Sequence, residues 1–145
     1  PLPQKASIDY LIGIAPRITA NHRDYPALIL GLQILGNRSG FSGRLMMIVR
    51  EEEGLTYGIY AYPVGFTSTT DGLLQVWGTF APQLFARGRA STLREVKRIV
   101  VDGVTSDEAC KHTKLFAARG ATGVSTTTAF SRAAHGMGIE GRTLS

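Results

Sequence analysis

The chain has 145 residues, 43% of them hydrophobic and 19% charged, which is the composition of an ordinary globular domain with a buried core. No apolar run approaches the roughly 18 residues of a membrane-spanning helix. The net charge of +5 comes from basic residues dispersed along the chain, without a nucleic-acid-binding motif or interleaved aromatic residues. The composition therefore argues against a membrane span and against nucleic-acid binding.

The ends of the chain and its cysteine content say little about location. The sequence begins at Pro1 without a start methionine or a signal peptide, and it stops at Ser145 without a closing element. We therefore expect residues 1–145 to form a single domain that is a piece of a longer protein. Cys110 is the only cysteine, so an intrachain disulfide is excluded, while periplasmic and cytoplasmic locations both remain open.

The first third of the chain predicts a strand followed by a buried helix. Residues 7–15 (SIDYLIGIA) are mostly apolar and lack a helix stop, which indicates a strand. Asp24 fits an N-cap, and Pro26 fits the first turn of a helix through residues 27–35. That helix is apolar on nearly all sides, which is typical of a helix inside the core.

Residues 44–57 (RLMMIVREEEGLTY) predict a short amphipathic helix that ends in charged residues, followed by a glycine stop and a strand that opens on Tyr57. Leu45, Ile48 and Val49 share one helical face at i, i+3 and i+4 spacing. Gly54 can adopt the left-handed conformation that ends a helix. The chain is therefore expected to reverse direction at this glycine and to enter a strand.

The middle of the chain predicts an antiparallel pair of strands. Residues 57–66 and 73–80 are rich in β-branched and aromatic side chains and flank the turn signal at residues 71–72 (DG). In the second strand one face is apolar and consists of Leu74, Val76 and Phe80.

Three helices are predicted after this pair. The first runs from Pro82 to about Val101 and has an apolar stripe of Leu93, Val96 and Val100. The second starts at the capping box formed by Thr105 and Glu108 and runs to about Arg119. The third lies around residues 129–135. The order of elements predicts an α+β fold, in which helices pack on a mainly antiparallel sheet.

Arg50 and Tyr57 lie on either side of the reversal at Gly54. A guanidinium and a phenol that converge there provide donors suited to a peptide carbonyl or an oxyanion. A structural explanation is also available, because an arginine in the last turn is favoured by the helix dipole, by roughly 0.3–1 kcal/mol, and a tyrosine is common in strands. Spacing alone favours this structural explanation.

Other motifs do not assemble into a site. His22, His112 and His135 lack a second histidine at helical spacing, so no zinc site is predicted in this chain. Cys110 has no partner base and is expected to be a half-buried packing residue. Residues 136–141 (GMGIEG) match a dinucleotide fingerprint formally, but they follow a predicted helix where that motif needs a strand.

One pattern of residues does resemble a known family. Residues 35–36 (LG), 42–45 (SGRL) and 50–57 (REEEGLTY) resemble the C-terminal, non-zinc-binding half of the pitrilysin/insulinase family of zinc metallopeptidases, relatives of mitochondrial processing peptidase. The resemblance continues through the strand after Gly72, the long helix and residues 103–108 (GVTSDE), and so covers nearly the whole chain. The sequence departs from the family's pattern in two places. The loop before Gly43 is longer than usual, and Gly43 stands where the family commonly has a second serine.

The resemblance implies a processing-peptidase-like α+β domain, one of two halves that face each other as a clam shell. Zinc is expected in the other half, on an inverted His-x-x-Glu-His motif that this sequence lacks, so this chain alone is expected to be inactive. Arg50 and Tyr57 match the arginine and tyrosine with which the family's C-terminal half binds peptide substrate. The alternative is a structural or assembly subunit that keeps the fold but has lost peptidase activity.

Overall fold

The computed structural model describes residues 6–36 and 42–117, with side chains as far as residue 112. Three strands form one antiparallel sheet in the order β1-β3-β2: β1 (Ile8–Ile14), β2 (Gly58–Val64) and β3 (Leu73–Phe80). The predicted first strand and the predicted pair are therefore confirmed. The third strand in sequence lies in the middle, and β1 and β2 flank it.

The side chains on one face of the sheet are buried and form part of the hydrophobic core. The predicted apolar face of β3 is confirmed, since Leu74, Val76 and Phe80 are all buried. Ile59 of β2 and Ile12 of β1 add to it and are also buried. Two-residue periodicity places these side chains together, and the sequence showed this period clearly in β3.

Helix α1 (Tyr25–Gly36) packs on this face, mainly against β2. Its buried residues lie on all sides, from Leu28 to Leu35, as its apolar sequence predicted. At its end the main chain is crowded, because a Cβ on Gly43 would lie 2.6 Å from the Gly36 Cα atom. This close approach gives a physical reason for glycine at 43, where the family resemblance would lead one to expect serine.

The helix predicted within residues 44–57 is present, but most of it is a π-helix, Met46–Glu52. The wider turn changes which side chains face inward. Leu45, Met46 and Val49 are fully buried, whereas Ile48 is only half-buried. The prediction from α-helical spacing was therefore right for two of its three residues and wrong for Ile48.

A short 3₁₀ turn, Pro82–Leu84, leads into α2 (Phe85–Val101), as predicted from Pro82. The predicted apolar stripe of α2, made of Leu93, Val96 and Val100, packs against the core but is only partly buried. The face that is buried is made of small and polar residues with one isoleucine, namely Gly88, Ser91, Thr92, Glu95 and Ile99. The small residue Gly88 lets the helix approach the sheet closely, since a Cβ there would lie 2.2 Å from the Phe80 ring.

Helix α3 (Ser106–Ala117) begins at the predicted capping box. Thr105 Oγ1 accepts from the Glu108 N–H at 3.2 Å, and the Glu108 carboxylate accepts from the Thr105 N–H at 2.9 Å. The predicted end of this helix, the helix near residues 129–135 and the motif at 136–141 lie outside the described residues. In the described part of the chain, no helix is long and apolar enough to cross a membrane.

Candidate functional site

The chain reverses direction at the end of the π-helix through nested main-chain hydrogen bonds. The Gly54 N–H donates to the Arg50 carbonyl at 3.0 Å, and the Leu55 N–H donates to the Val49 carbonyl at 2.9 Å. Gly54 has a φ of +63°, the left-handed conformation predicted for it. Leu55 and Val49 are both buried, so the reversal is anchored in the core.

Thr56 joins this reversal to the sheet. Its hydroxyl accepts from the Gly58 N–H at 3.2 Å and donates to the carbonyl oxygen of Thr79 at the end of β3. Tyr57 lies between two residues that are held in this way. Sequence reasoning missed Thr56, and its only signal was a hydroxyl residue at a turn.

Arg50 and Tyr57 come together as the reversal predicted. The guanidinium carbon of Arg50 lies over the Tyr57 ring, 5.5 Å from its centroid, which is the geometry of a cation–π contact. Arg50 Nε also lies 3.6 Å from the Glu51 carboxylate. Tyr57 is 86% exposed, which is more than any other large hydrophobic residue in the described part of the chain. The pair thus presents a cation and a phenol to the surroundings.

A second set of charges attaches this region to α2. Arg94 donates to Glu53 at 2.5 Å across 41 residues of sequence, and also to Ser91. A hydrogen bond from Ser91, together with Arg94, lowers the pKa of the Glu53 carboxyl. Glu95 is buried and is paired with Arg94 and Arg98. A basic residue of α2 therefore holds Glu53, the residue before Gly54.

The N-terminal end of the same segment is attached to α3. Arg44 donates through Nε and Nη2 to the two carboxylate oxygens of Glu108, at 2.6 and 2.7 Å, and to the Gly103 carbonyl at 3.0 Å. The Arg44 guanidinium lowers the pKa of Glu108 to about 2. His112, buried in α3, is hydrogen-bonded to the main chain of Ser42, and desolvation lowers its pKa.

The metal-ligating residue types remain apart. Residues 6–36 and 42–112 contain no group of three or more His, Cys, Asp or Glu side chains able to hold a metal ion. His22 is exposed and lies near Asp24, whereas His112 is buried. The prediction of a half-buried Cys110 was wrong, because its side chain is exposed. His135 lies outside the described residues.

Comparison with known protein families gives a match that covers most of the chain. Residues 6–112 match the family described as the peptidase M16 inactive domain. The chain belongs to this family. The match confirms the resemblance to the C-terminal, non-zinc-binding half of the pitrilysin/insulinase peptidases, while a particular relation to mitochondrial processing peptidase stays a prediction. No curated protein sequence matches the chain to a comparable standard.

Solved structures agree with this assignment. A peptidase M16 inactive domain from Pseudomonas fluorescens is similar, with 26% identity and a TM-score of 0.68 over 90% of this chain. A conserved protein from Enterococcus faecalis (20% identity, TM-score 0.63) and a protease from Helicobacter pylori (13%, 0.63) each align with 78% of the chain and share the fold. The predicted α+β class is confirmed.

The chain spans only part of these proteins. The aligned region makes up 30% of the Pseudomonas fluorescens chain, 25% of the Enterococcus faecalis chain and 26% of the Helicobacter pylori chain.

Proposed function

We propose that this M16 domain is the substrate-binding, non-metal-binding half of a zinc metalloendopeptidase. Residues 1–145 are a fragment of a two-domain chain or of one subunit of a pair. Arg50 and Tyr57 contact the scissile peptide of a substrate bound between the two halves. The observation that supports this most strongly is the pairing of a guanidinium with a tyrosine ring that is 86% exposed.

The surroundings of the pair support a binding role. Covering the apolar surface of an aromatic side chain lowers the free energy of the system. An exposed tyrosine is therefore suited to contact with a ligand. The hydrogen bonds of Thr56 and the reversal at Gly54 hold the main chain on both sides of it. The two donors are therefore placed before substrate arrives, which reduces the entropic cost of binding.

The chemistry of the pair fits peptide hydrolysis. An arginine presents several N–H donors and a fixed positive charge, and a phenol adds an O–H donor. Such donors stabilise the negative charge that develops on a peptide carbonyl when water attacks it, and the loss of one donor typically costs about 2.7–4 kcal/mol. The zinc expected in the partner half would activate that water when the metal is bound.

The edge of β2 supports contact with an extended peptide. In the described part of the chain, β2 pairs with β3 on one side and with no strand on the other. A free edge can pair with a peptide main chain by strand addition, a mode that favours unfolded substrates. The edge begins next to Tyr57, so a peptide added there would lead toward the donor pair.

The test is peptide cleavage by the full-length protein with its partner half. We expect Arg50→Ala and Tyr57→Phe each to lower kcat/KM at least tenfold, without lowering the Tm. A matched control is Arg23→Ala, because Arg23 is 75% exposed and lies in the loop that pairs with Thr67 near the far end of β2. Unchanged turnover in both site variants would refute the assigned roles.

The alternative is a structural or assembly subunit of the same fold. The family description as an inactive domain favours this possibility, since it requires no chemistry from the chain. The zinc content of the full-length protein or subunit pair separates the two proposals. One zinc per pair, with cleavage of an unfolded peptide, supports the peptidase, whereas a metal-free pair without cleavage supports the structural subunit.

A further inference from the structure

The segment that carries Arg50 is attached at both ends to other helices. At its N-terminal end, Arg44 donates to both carboxylate oxygens of Glu108 in α3, at 2.6 and 2.7 Å. At its C-terminal end, Glu53 accepts a hydrogen bond of 2.5 Å from Nη2 of Arg94 in α2. Arg50 lies shortly before the second attachment, so the direction of its side chain depends on how the helix reaches Glu53.

Between these attachments the helix has its wider, π-helical form. The Glu53 N–H donates to the Ile48 carbonyl at 2.9 Å, which is the i to i−5 hydrogen bond of a π-helix. A π-helical turn contains more residues than an α-helical turn, so each residue advances by a smaller angle around the helix axis. If the main chain of Glu53 shifted to the α-helical bond, Arg50 would therefore turn away from its present direction, over the ring of Tyr57.

Arg94 is itself oriented by two buried residues of α2. Its Nε donates to the carboxylate of Glu95 at 3.1 Å, and its Nη2 donates to the hydroxyl of Ser91 at 3.0 Å. The same Ser91 hydroxyl is hydrogen-bonded to Glu53. Ser91 and Glu95 lie on the buried face of the helix, so these two partners hold the guanidinium in a fixed place. The planar fork of the arginine then directs Nη2 toward Glu53.

We propose that Arg94 is a positioning residue for the Arg50–Tyr57 pair. Through Glu53 it holds the end of the π-helix in the register that places the Arg50 guanidinium carbon 5.5 Å from the centroid of the Tyr57 ring. The expected effect on catalysis rests on the substrate-binding function proposed above. The expected effect on the geometry of the pair does not.

The positioning role can be separated from a role in stability. Exposed ion pairs contribute little to the free energy of unfolding, and the side chains of Arg94 and Glu53 are 49% and 28% exposed. The reversal has other anchors, because Val49 and Leu55 are buried in the core. Loss of Arg94 should therefore leave the Tm almost unchanged while it releases the end of the π-helix.

The test measures the surroundings of the Tyr57 ring in the full-length protein. The amino acid 3-fluorotyrosine replaces Tyr57, and its fluorine NMR chemical shift reports the cation over the ring. We expect Arg94→Ala and Glu53→Ala each to move or broaden this resonance. The double variant should move it no further, because the two residues act through one contact. The matched control is Arg98→Ala, since Arg98 also donates to the buried Glu95, at 3.2 Å, and its removal leaves the Arg94–Glu53 contact in place.

Peptide cleavage is measured on the same variants without the fluorine label. We expect kcat/KM to fall by about tenfold in both single variants and to stay unchanged in Arg98→Ala, because a small misplacement of a donor weakens its contact with the transition state.

Two outcomes would overturn the positioning role, whatever the activity. The first is a fluorine resonance that stays in place in both single variants, and the second is a double variant whose shift is the sum of the single shifts. A resonance that moves in both single variants while turnover is unchanged would support the positioning role and count against the substrate-binding function. Failure of this proposal is therefore distinguishable from failure of the proposed function.

Discussion

Arg44 and Glu108 form a two-pronged ion pair that joins the segment carrying Arg50 to helix α3. The Nε–Oε1 and Nη2–Oε2 distances are 2.6 and 2.7 Å, and the Arg44 side chain is only 12% exposed. Glu108 also completes the capping box with Thr105, so one carboxylate serves both the helix start and the ion pair. Because the pair is partly buried and bidentate, its energy is expected to exceed that of an ordinary surface pair.

The first prediction concerns acid stability. The folded-state pKa of Glu108 is lowered from 4.5 to about 2, so the carboxylate stabilises the fold above about pH 4.5, and this contribution is lost as the pH falls toward 2. The full shift corresponds to at most about 3 kcal/mol. Urea unfolding of Glu108→Gln should show lower stability at neutral pH, with a difference from wild type that shrinks below pH 4.5.

The control for Glu108 is Asp107→Asn, which changes an exposed acidic residue in the same helical turn. Its stability difference should be small and should not depend on the Arg44 contact. A Glu108→Gln variant that is as stable as wild type at pH 7 would show that the ion pair and the capping bonds contribute nothing measurable.

The second prediction concerns the Thr56 hydroxyl. Thr56→Val keeps the shape of the side chain but leaves the Gly58 N–H and the Thr79 carbonyl without this partner, at a cost of about 1–3 kcal/mol. Since Tyr57 lies between Thr56 and Gly58, we also expect KM for an unfolded peptide to rise in the full-length protein. Chemical denaturation and steady-state cleavage measure the two effects.

Thr67→Val is the matched control for Thr56. The Thr67 hydroxyl accepts from the Thr70 N–H at 2.9 Å in an exposed turn beyond the other end of β2. Water can replace this bond, so the loss of stability should be smaller and KM should not change. Equal effects of the two substitutions on KM would argue against a positioning role for Thr56.

The fold was predictable from sequence where periodicity was strong and local. The alternation in β3, the apolar length of α1 and the capping box at Thr105 each report on residues that are close in the chain, and all three were confirmed. The reversal at Gly54 was predictable for the same reason, because a left-handed glycine after a helix is a local requirement.

Features that depend on distant contacts were not predictable. The ion pairs of Arg44 with Glu108 and of Arg94 with Glu53 join residues 64 and 41 positions apart, so no spacing rule finds them. The buried face of α2 was missed because Gly88 and Glu95 carry no apolar signal, although the helix approaches the sheet there. The role proposed for Arg50 and Tyr57 rests on family resemblance, since their spacing alone favoured a structural explanation.

The third prediction concerns the close approach of α2 to the sheet. A Cβ at Gly88 would lie 2.2 Å from two ring atoms of the buried Phe80. Alanine would normally favour a helix by about 1 kcal/mol over glycine, but here overpacking should outweigh this and destabilise by about 1–3 kcal/mol. Phe80→Leu in the Gly88→Ala background should recover part of the loss. Gly13→Ala, with nothing within 4 Å, is the control in the isolated chain and should be nearly neutral.

The fourth prediction concerns His112, which is 4% exposed. Desolvation lowers its pKa from 6.5, so the neutral imidazole stabilises the fold above about pH 6.5, and this contribution is lost as the pH falls through the lowered value. The Tm of wild type should therefore fall between about pH 7.5 and pH 5.5, and His112→Gln should remove at least half of that fall. His22→Gln is the control, because His22 is 43% exposed and should leave the pH dependence intact. An unchanged pH dependence in His112→Gln would show that another group is responsible.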